Sequence, residues 1–213
     1  MNGKFITFEG PDGSGKGTII KYIVKYLERK NLDFIVTREK DGIDNSEQIR
    51  DIILDNKNTD MDKRTEALLY AAARRQHLVQ KVIPALKKGK IVICDRFVDS
   101  SLAYQGEARG IGIEDVFKIN KFAIEDIMPD LTLYLDVPAQ VGLNRIVKSK
   151  VRKKDRLDLE SLNFHKKVNL GYKKVIKKYP DRFIVIDATK SIRRVADLSV
   201  NALHEYLKAS NFL

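Results

Sequence analysis

The segment Gly10-Pro-Asp-Gly-Ser-Gly-Lys16 constrains what this chain can fold into more than any other stretch. It follows directly on Lys4–Glu9 (KFITFE), an apolar run of strand length, and it opens Lys16–Lys30, where Ile19, Ile20, Ile23, Val24 and Leu27 recur at helical spacing. Between a strand and a helix, a G-x-x-x-x-G-K loop curls so that successive backbone N–H groups point inward. The helix N-terminus adds partial positive charge, and the lysine reaches the bound anion. The loop residues Gly10, Asp12, Gly13, Ser14, Gly15, Lys16, Gly17 and Thr18 are therefore candidate ligands of a polyphosphate.

The rest of the chain repeats the alternation. Strand-like runs recur at Asp33–Thr37, Lys90–Asp95, Leu131–Val137 and Phe183–Asp187. Helical periodicity marks Glu47–Leu54, Asp62–Lys88 with a bend expected near Pro84, Ile113–Ile127, Ala139–Lys148, Glu160–Lys178 and Ile192–Ala209. Strand and helix alternating in this way predict an α/β domain with a mainly parallel sheet. With 213 residues and no Pro/Gly/Ser-rich linker, the chain reads as one domain over 1–213, and the basic run at about 148–158 reads as a short mobile segment between two helices.

Lys and Arg number 40 against 29 Asp and Glu, a net +11 that attracts polyanions without saying which. One cysteine, Cys94, excludes an intramolecular disulfide framework and sits in the apolar run IVIC, as a buried thiol would. His77, His165 and His204 lack zinc-site spacing. No apolar stretch has membrane-spanning length and the N-terminus has no signal-peptide pattern, so the expected compartment is the cytoplasm, with no membrane partner.

Arginines at strand ends suggest what the phosphate meets. Arg38 follows the second strand and Arg96 the third, at the edge where open α/β sheets bind ligands, and an arginine fork matches a phosphate geometrically. Tyr70 and Arg74 share one helix face, which suits either a clamp on an aromatic base or a tyrosine packed in the core beneath a covering arginine. Gly17 stands where a Ser or Thr hydroxyl normally reaches Mg²⁺, with Thr18 one place later.

FEGPDGSGK, TRE, TEALLYAAARRQHL, DRFVDSSLAYQGEARGIG, PDLTLYLDV, DRLD and IDAT, in that order, resemble the thymidylate kinase family across nearly the whole chain. The resemblance implies a five-stranded parallel sheet flanked by helices with a short lid, a homodimer, and phosphoryl transfer from ATP to dTMP with Mg²⁺. By position, it makes Tyr70 the ring stacked on thymine, and Arg74 and Gln105 readers of its polar edges. Asp12 and Tyr104 would meet the sugar, Arg38 and Arg96 the acceptor phosphate, with Ser100 and Ser101 beside its path. Asp95, and less directly Thr18, would organise Mg²⁺, in part through water, while Arg145, Ala188 and Thr189 would enclose adenine.

Some members carry an arginine in the phosphate loop where this chain has Gly13, so the resemblance places the catalytic cation on the lid: Arg152 foremost, with Lys153, Lys154 and Arg156 as neighbours, beside Lys16 and Arg96. Lys40-Asp41 and Phe97 also depart from the family pattern. The rival readings are another monophosphate kinase, a nucleoside kinase, and a nucleotide-binding protein whose catalysis is impaired by Gly17. A nucleic-acid partner is not expected, because the basic residues cluster in the lid instead of forming a stripe interleaved with aromatics.

Overall fold

The computed structural model describes residues 2–38, 43–148 and 156–213. Lys40 and Asp41, and the expected lid cations Arg152, Lys153 and Lys154, lie outside the described residues. The strands are β1 (Lys4–Glu9), β2 (Phe34–Arg38), β3 (Ile91–Asp95), β4 (Leu131–Asp136) and β5 (Phe183–Asp187). They form one parallel sheet in the order β2-β3-β1-β4-β5. The helices are α1 (Lys16–Arg29), α2 (Asp44–Leu54), α3 (Lys63–His77), α4 (Ile83–Lys87), α5 (Val98–Ser101), α6 (Ile113–Ile124), α7 (Ala139–Lys148), α8 (Leu162–Lys178) and α9 (Ile192–Ala209).

Parallel strands must be covered on both faces, and the pleat divides the core accordingly. Ile6 and Phe8 point to one side, where they meet Ile19, Ile23 and Leu27 of α1 and Leu203 and Leu207 of α9. Phe5, Val92 and Cys94 point to the other, against Leu78, Val82, Leu102, Val116 and Val175. Each such fully buried side chain contributes about 1.5–3 kcal/mol through apolar burial. A third cluster, including Tyr70, Ala103, Tyr104, Phe164 and Tyr172, fills the space between α3, α8 and the segment after α5. Asp62, Ser161 and Ser191 cap α3, α8 and α9, each accepting from backbone N–H groups of the first turn.

The long helical run bends, but before Pro84 and not at it. Leu78–Val82 winds as a π-helix, with Ile83 N–H bonded to Leu78 O. Pro84 has no N–H and its ring crowds the carbonyl four residues back, so the turn ahead of it opens. A second π-helical stretch, Leu102–Ala108, continues α5 and has no counterpart among the helices expected from periodicity.

All five strands run in one direction, so Glu9, Arg38, Asp95, Asp136 and Asp187 end along a single edge of the sheet. The order reverses around β1, and that is where open α/β sheets form a crevice.

Candidate active site

The loop after β1 turns on glycines at φ 147° (Gly10), 75° (Gly13) and 93° (Gly15). Gly15 stands as the N-cap of α1 with no side chain covering the helix end, so the first-turn amides face outward. A Cβ at Gly13 would lie 2.1 Å from the carbonyl oxygen of Gly142, because α7 crosses the loop in direct backbone contact. An arginine at this position is therefore sterically excluded. Lys16 folds along the loop, its Nζ donating to Gly10 O (2.9 Å), Pro11 O (3.2 Å) and Ser14 Oγ (3.3 Å). Burial and the Arg96 charge bring its pKa down to about 8, against the pull of Asp95, Asp12 and Glu9.

Arg96 lies at the centre of the site. Its backbone takes φ 74°, which turns the chain sharply after β3. Its Nη1 donates to Gly10 O (3.0 Å), Ser100 Oγ (3.1 Å) and Tyr172 OH (3.2 Å), and its Nη2 to Asp12 Oδ1 (2.7 Å) and Tyr104 OH (3.3 Å). Tyr104 OH in turn donates to Asp12 Oδ2 at 2.6 Å.

Below this group lies Glu9, which sequence reading passed over. Its carboxylate accepts from Phe97 N (2.6 Å), Ser100 Oγ (2.6 Å) and Tyr172 OH (2.9 Å). It thus fixes the residue that follows the strained Arg96 turn. Burial, reinforced by the Asp99 carboxylate, pushes Glu9 up to about 7 despite Arg96 and the hydrogen bonds from Ser100 and Phe97.

Asp95 Oδ1 is buried with no hydrogen-bond partner among the described residues. An orphaned carboxylate oxygen beside the phosphate loop fits a divalent cation. Thr18 lines the same cavity. Gly17 has open space where a Cβ would stand, so its missing hydroxyl reflects no steric demand.

At the far end, Tyr70 presents its ring from α3, with the Arg50 guanidinium 5.9 Å from the ring centroid. Arg74, one turn on, is 1% exposed; it donates to Asn120 Oδ1, to Phe97 O (3.3 Å) and to Ser101 Oγ (3.0 Å). Tyr70 is itself part of the third core cluster, and both it and Arg74 line the cavity. Gln105 Nε2 donates to Glu66 Oε1 at 2.8 Å. Arg156, expected among the lid cations, is buried, donating to Ile53 O (2.8 Å) and pairing with Glu66.

On the other flank, Arg145 of α7 donates to Ala188 O (2.9 Å) and Gly13 O (3.4 Å), spanning the phosphate loop and the turn after β5. Ala188, Lys190 and Ile192 continue the wall. Thr189 does not line it; its N–H and hydroxyl both turn to Asp187 Oδ1. Arg38, exposed at the end of β2, faces the same space. One continuous cavity of about 1590 Å³ joins the phosphate loop, Arg96, Tyr70, Gln105 and Arg145. It exceeds the ~300–1,000 Å³ of a site for one small ligand.

A G-x-x-x-x-G-K loop after the first strand, joined past Arg96 to Tyr70 and Gln105 by one cavity on the carboxyl edge of a parallel sheet, is the arrangement of a P-loop nucleoside monophosphate kinase. The profile of the thymidylate kinase family matches residues 8–198. Proteins named thymidylate kinase are 62% identical in Clostridium novyi (91% of this chain and 94% of that protein), 54% in a Geobacillus species (98% and 99%) and 55% in Bacillus velezensis (98% and 98%). The chain belongs to the thymidylate kinase family.

Proposed function

We propose that the chain transfers the γ-phosphoryl group of ATP to dTMP, giving ADP and dTDP for dTTP supply. One observation carries this reading: a single cavity connects the phosphate loop to the Tyr70, Arg74 and Gln105 pocket through Arg96. ATP lies with its triphosphate on the loop and Lys16 and its base between Arg145 and Ala188. The base of dTMP lies on Tyr70, its sugar by Asp12 and Tyr104, and its phosphate toward Arg38, Arg96 and Ser100.

An oxygen of the dTMP phosphate attacks the γ-phosphorus, and the bond to the β–γ bridging oxygen breaks, its electrons leaving with ADP. The attacking oxygen is already anionic, so no general base is required and catalysis reduces to alignment and charge neutralisation. Asp95, with Thr18 nearby, would hold Mg²⁺ in part through water, and the ion would supply charge neutralisation on the phosphates. Lys16 and Arg96 act from the described site. Arg152, outside the described residues, is the proposed finger on the transferring group, in the lid segment of about 148–158. Arg152→Ala lowers kcat by roughly 10³-fold with dTMP affinity unchanged, as single-turnover kinetics and dTMP binding measure.

We read the protein as a cytoplasmic homodimer. Phe122, 90% exposed on α6, and Leu68, exposed on the adjoining α3, offer a face for a second copy. Nothing in the site favours impaired catalysis through Gly17.

ADP release from ATP and Mg²⁺ with dTMP, dUMP, AMP, CMP, GMP, UMP or thymidine as separate acceptors tests the function. Preference for dTMP is expected. No turnover of dTMP, or preference for thymidine, overturns it.

A further inference from the structure

Gln105 is a side chain with two faces, one amide nitrogen that donates and one oxygen that accepts, and something must decide which of them meets the base. Its Nε2 is held by Glu66 Oε1 at 2.8 Å. Glu66 is 1% exposed and also accepts from Arg109 Nε and Nη2 (both 3.2 Å) and from Arg156 Nη2. Burial alone would raise its pKa, but the hydrogen bond from Gln105 and the Arg109 charge, with bonds from Arg156 and Arg109, hold it below the ordinary glutamate value. Glu66 is therefore ionised and can only accept. Whichever way an amide is drawn, its NH₂ must face a carboxylate.

We propose that Glu66 sets which base this site accepts, by holding the Gln105 amide nitrogen and so turning Gln105 Oε1 toward the cavity as an acceptor. This rests on the reading of Gln105 as a reader of the base's polar edge. Thymine and uracil carry an N3–H donor on that edge and cytosine carries a bare N3 acceptor. An acceptor fixed in the wall thus suits thymine and repels cytosine. Glu66 is a positioning residue: it touches no substrate and acts through Gln105.

The direction of the effect of Glu66→Gln follows from the cluster. The new amide has one oxygen; the Oε2 position meets two guanidinium donors, Arg109 Nη2 and Arg156 Nη2, and the Oε1 position only Arg109 Nε, so the oxygen settles at Oε2. The amide nitrogen then occupies the Oε1 position and needs an acceptor. Gln105 rotates to provide one, presenting its own NH₂ to the cavity. Arg74 still disfavours the cytosine amino group, so selectivity weakens without inverting.

The test measures kcat/KM for dTMP and dCMP in the wild type and two variants. In Glu66→Gln the dCMP-to-dTMP ratio rises at least about tenfold, the scale of a lost hydrogen-bond match in a polar recognition site. The double variant Glu66→Gln with Gln105→Glu restores an acceptor to the cavity and brings the ratio back toward wild type. Where Glu66→Gln does not fold, Glu66→Asp takes its place: it keeps the charge that Arg109 and Arg156 need but draws the carboxylate back from Gln105 Nε2, so the dCMP-to-dTMP ratio rises there too. A Glu66→Gln protein that is folded and less active with an unchanged ratio makes Glu66 a structural brace only and overturns the inference. So does an unchanged ratio in a folded Glu66→Asp protein. Absence of dTMP turnover in the wild type overturns the proposed function itself, which separates the two failures.

Discussion

Gly13→Ala should damage this protein well beyond what one methyl group suggests. The backbone at Gly13 has φ 75°, a conformation that costs an alanine about 1–2 kcal/mol. The added Cβ would stand 2.1 Å from Gly142 O, 2.6 Å from its carbonyl carbon and 2.7 Å from its Cα. None of these backbone atoms can rotate aside, so α7 must move off the loop, a repacking of about 1–3 kcal/mol. Together the two effects amount to about 2–5 kcal/mol, which at this chain length lowers the unfolding midpoint by roughly 4–20 °C. Arg145 rides on α7, and its bonds to Gly13 O and Ala188 O break with the shift, so KM for ATP rises more than KM for dTMP. Gly15→Ala is the control: φ is 93° but nothing lies within 4 Å of its Cβ, so its stability loss stays near the conformational cost alone. Thermal unfolding and the two KM values decide. Equal stability losses at positions 13 and 15, with KM for ATP unchanged in Gly13→Ala, would refute the backbone-contact account.

Gly17→Ser enters open space and should fold as the wild type does, while the Mg²⁺ concentration for half-maximal activity falls roughly tenfold through the added hydroxyl ligand; a Mg²⁺ titration with no shift removes the hydroxyl from consideration. Glu9→Gln should change how stability depends on pH. Because Glu9 in the fold sits near 7 and not at the ordinary 4.5, its contribution is complete below 4.5 and is lost as pH rises through 7, so the wild type weakens relative to the variant across that window. Unfolding midpoints of both proteins between those pH values test this, and a constant difference contradicts it.

The sheet was legible because each strand is a short apolar run bounded by glycine or charge, and β1, β3 and β4 matched their expected limits to within a residue. The segment 98–108 was not, since Ser100, Ser101, Tyr104 and Gln105 are polar groups turned inward and leave no amphipathic trace. The arginines at strand ends could be found from position alone. Their partners were harder to see: Glu9 reads as the last residue of an ordinary strand, and Tyr172 as one apolar position of α8. Glu66 carried a signal that went unused, since it lies one turn before Tyr70 on the same helix face. The burial of Arg156 left no trace in its basic run, which suggests solvent; pairing with Glu66 and a bond to Ile53 O make that burial tolerable.

The π-helical stretch Leu102–Ala108 gives the site a spacing that an ordinary helix could not supply. Ser100 and Ser101 stand before it and Gln105 within it, so one continuous element carries all three to the cavity. Regular winding of the same residues would turn Gln105 out of its present phase with the serines. The spacing between Ser101 and Gln105 is thus set by the pitch of the main chain, a ruler that side-chain substitutions can blunt but cannot rescale.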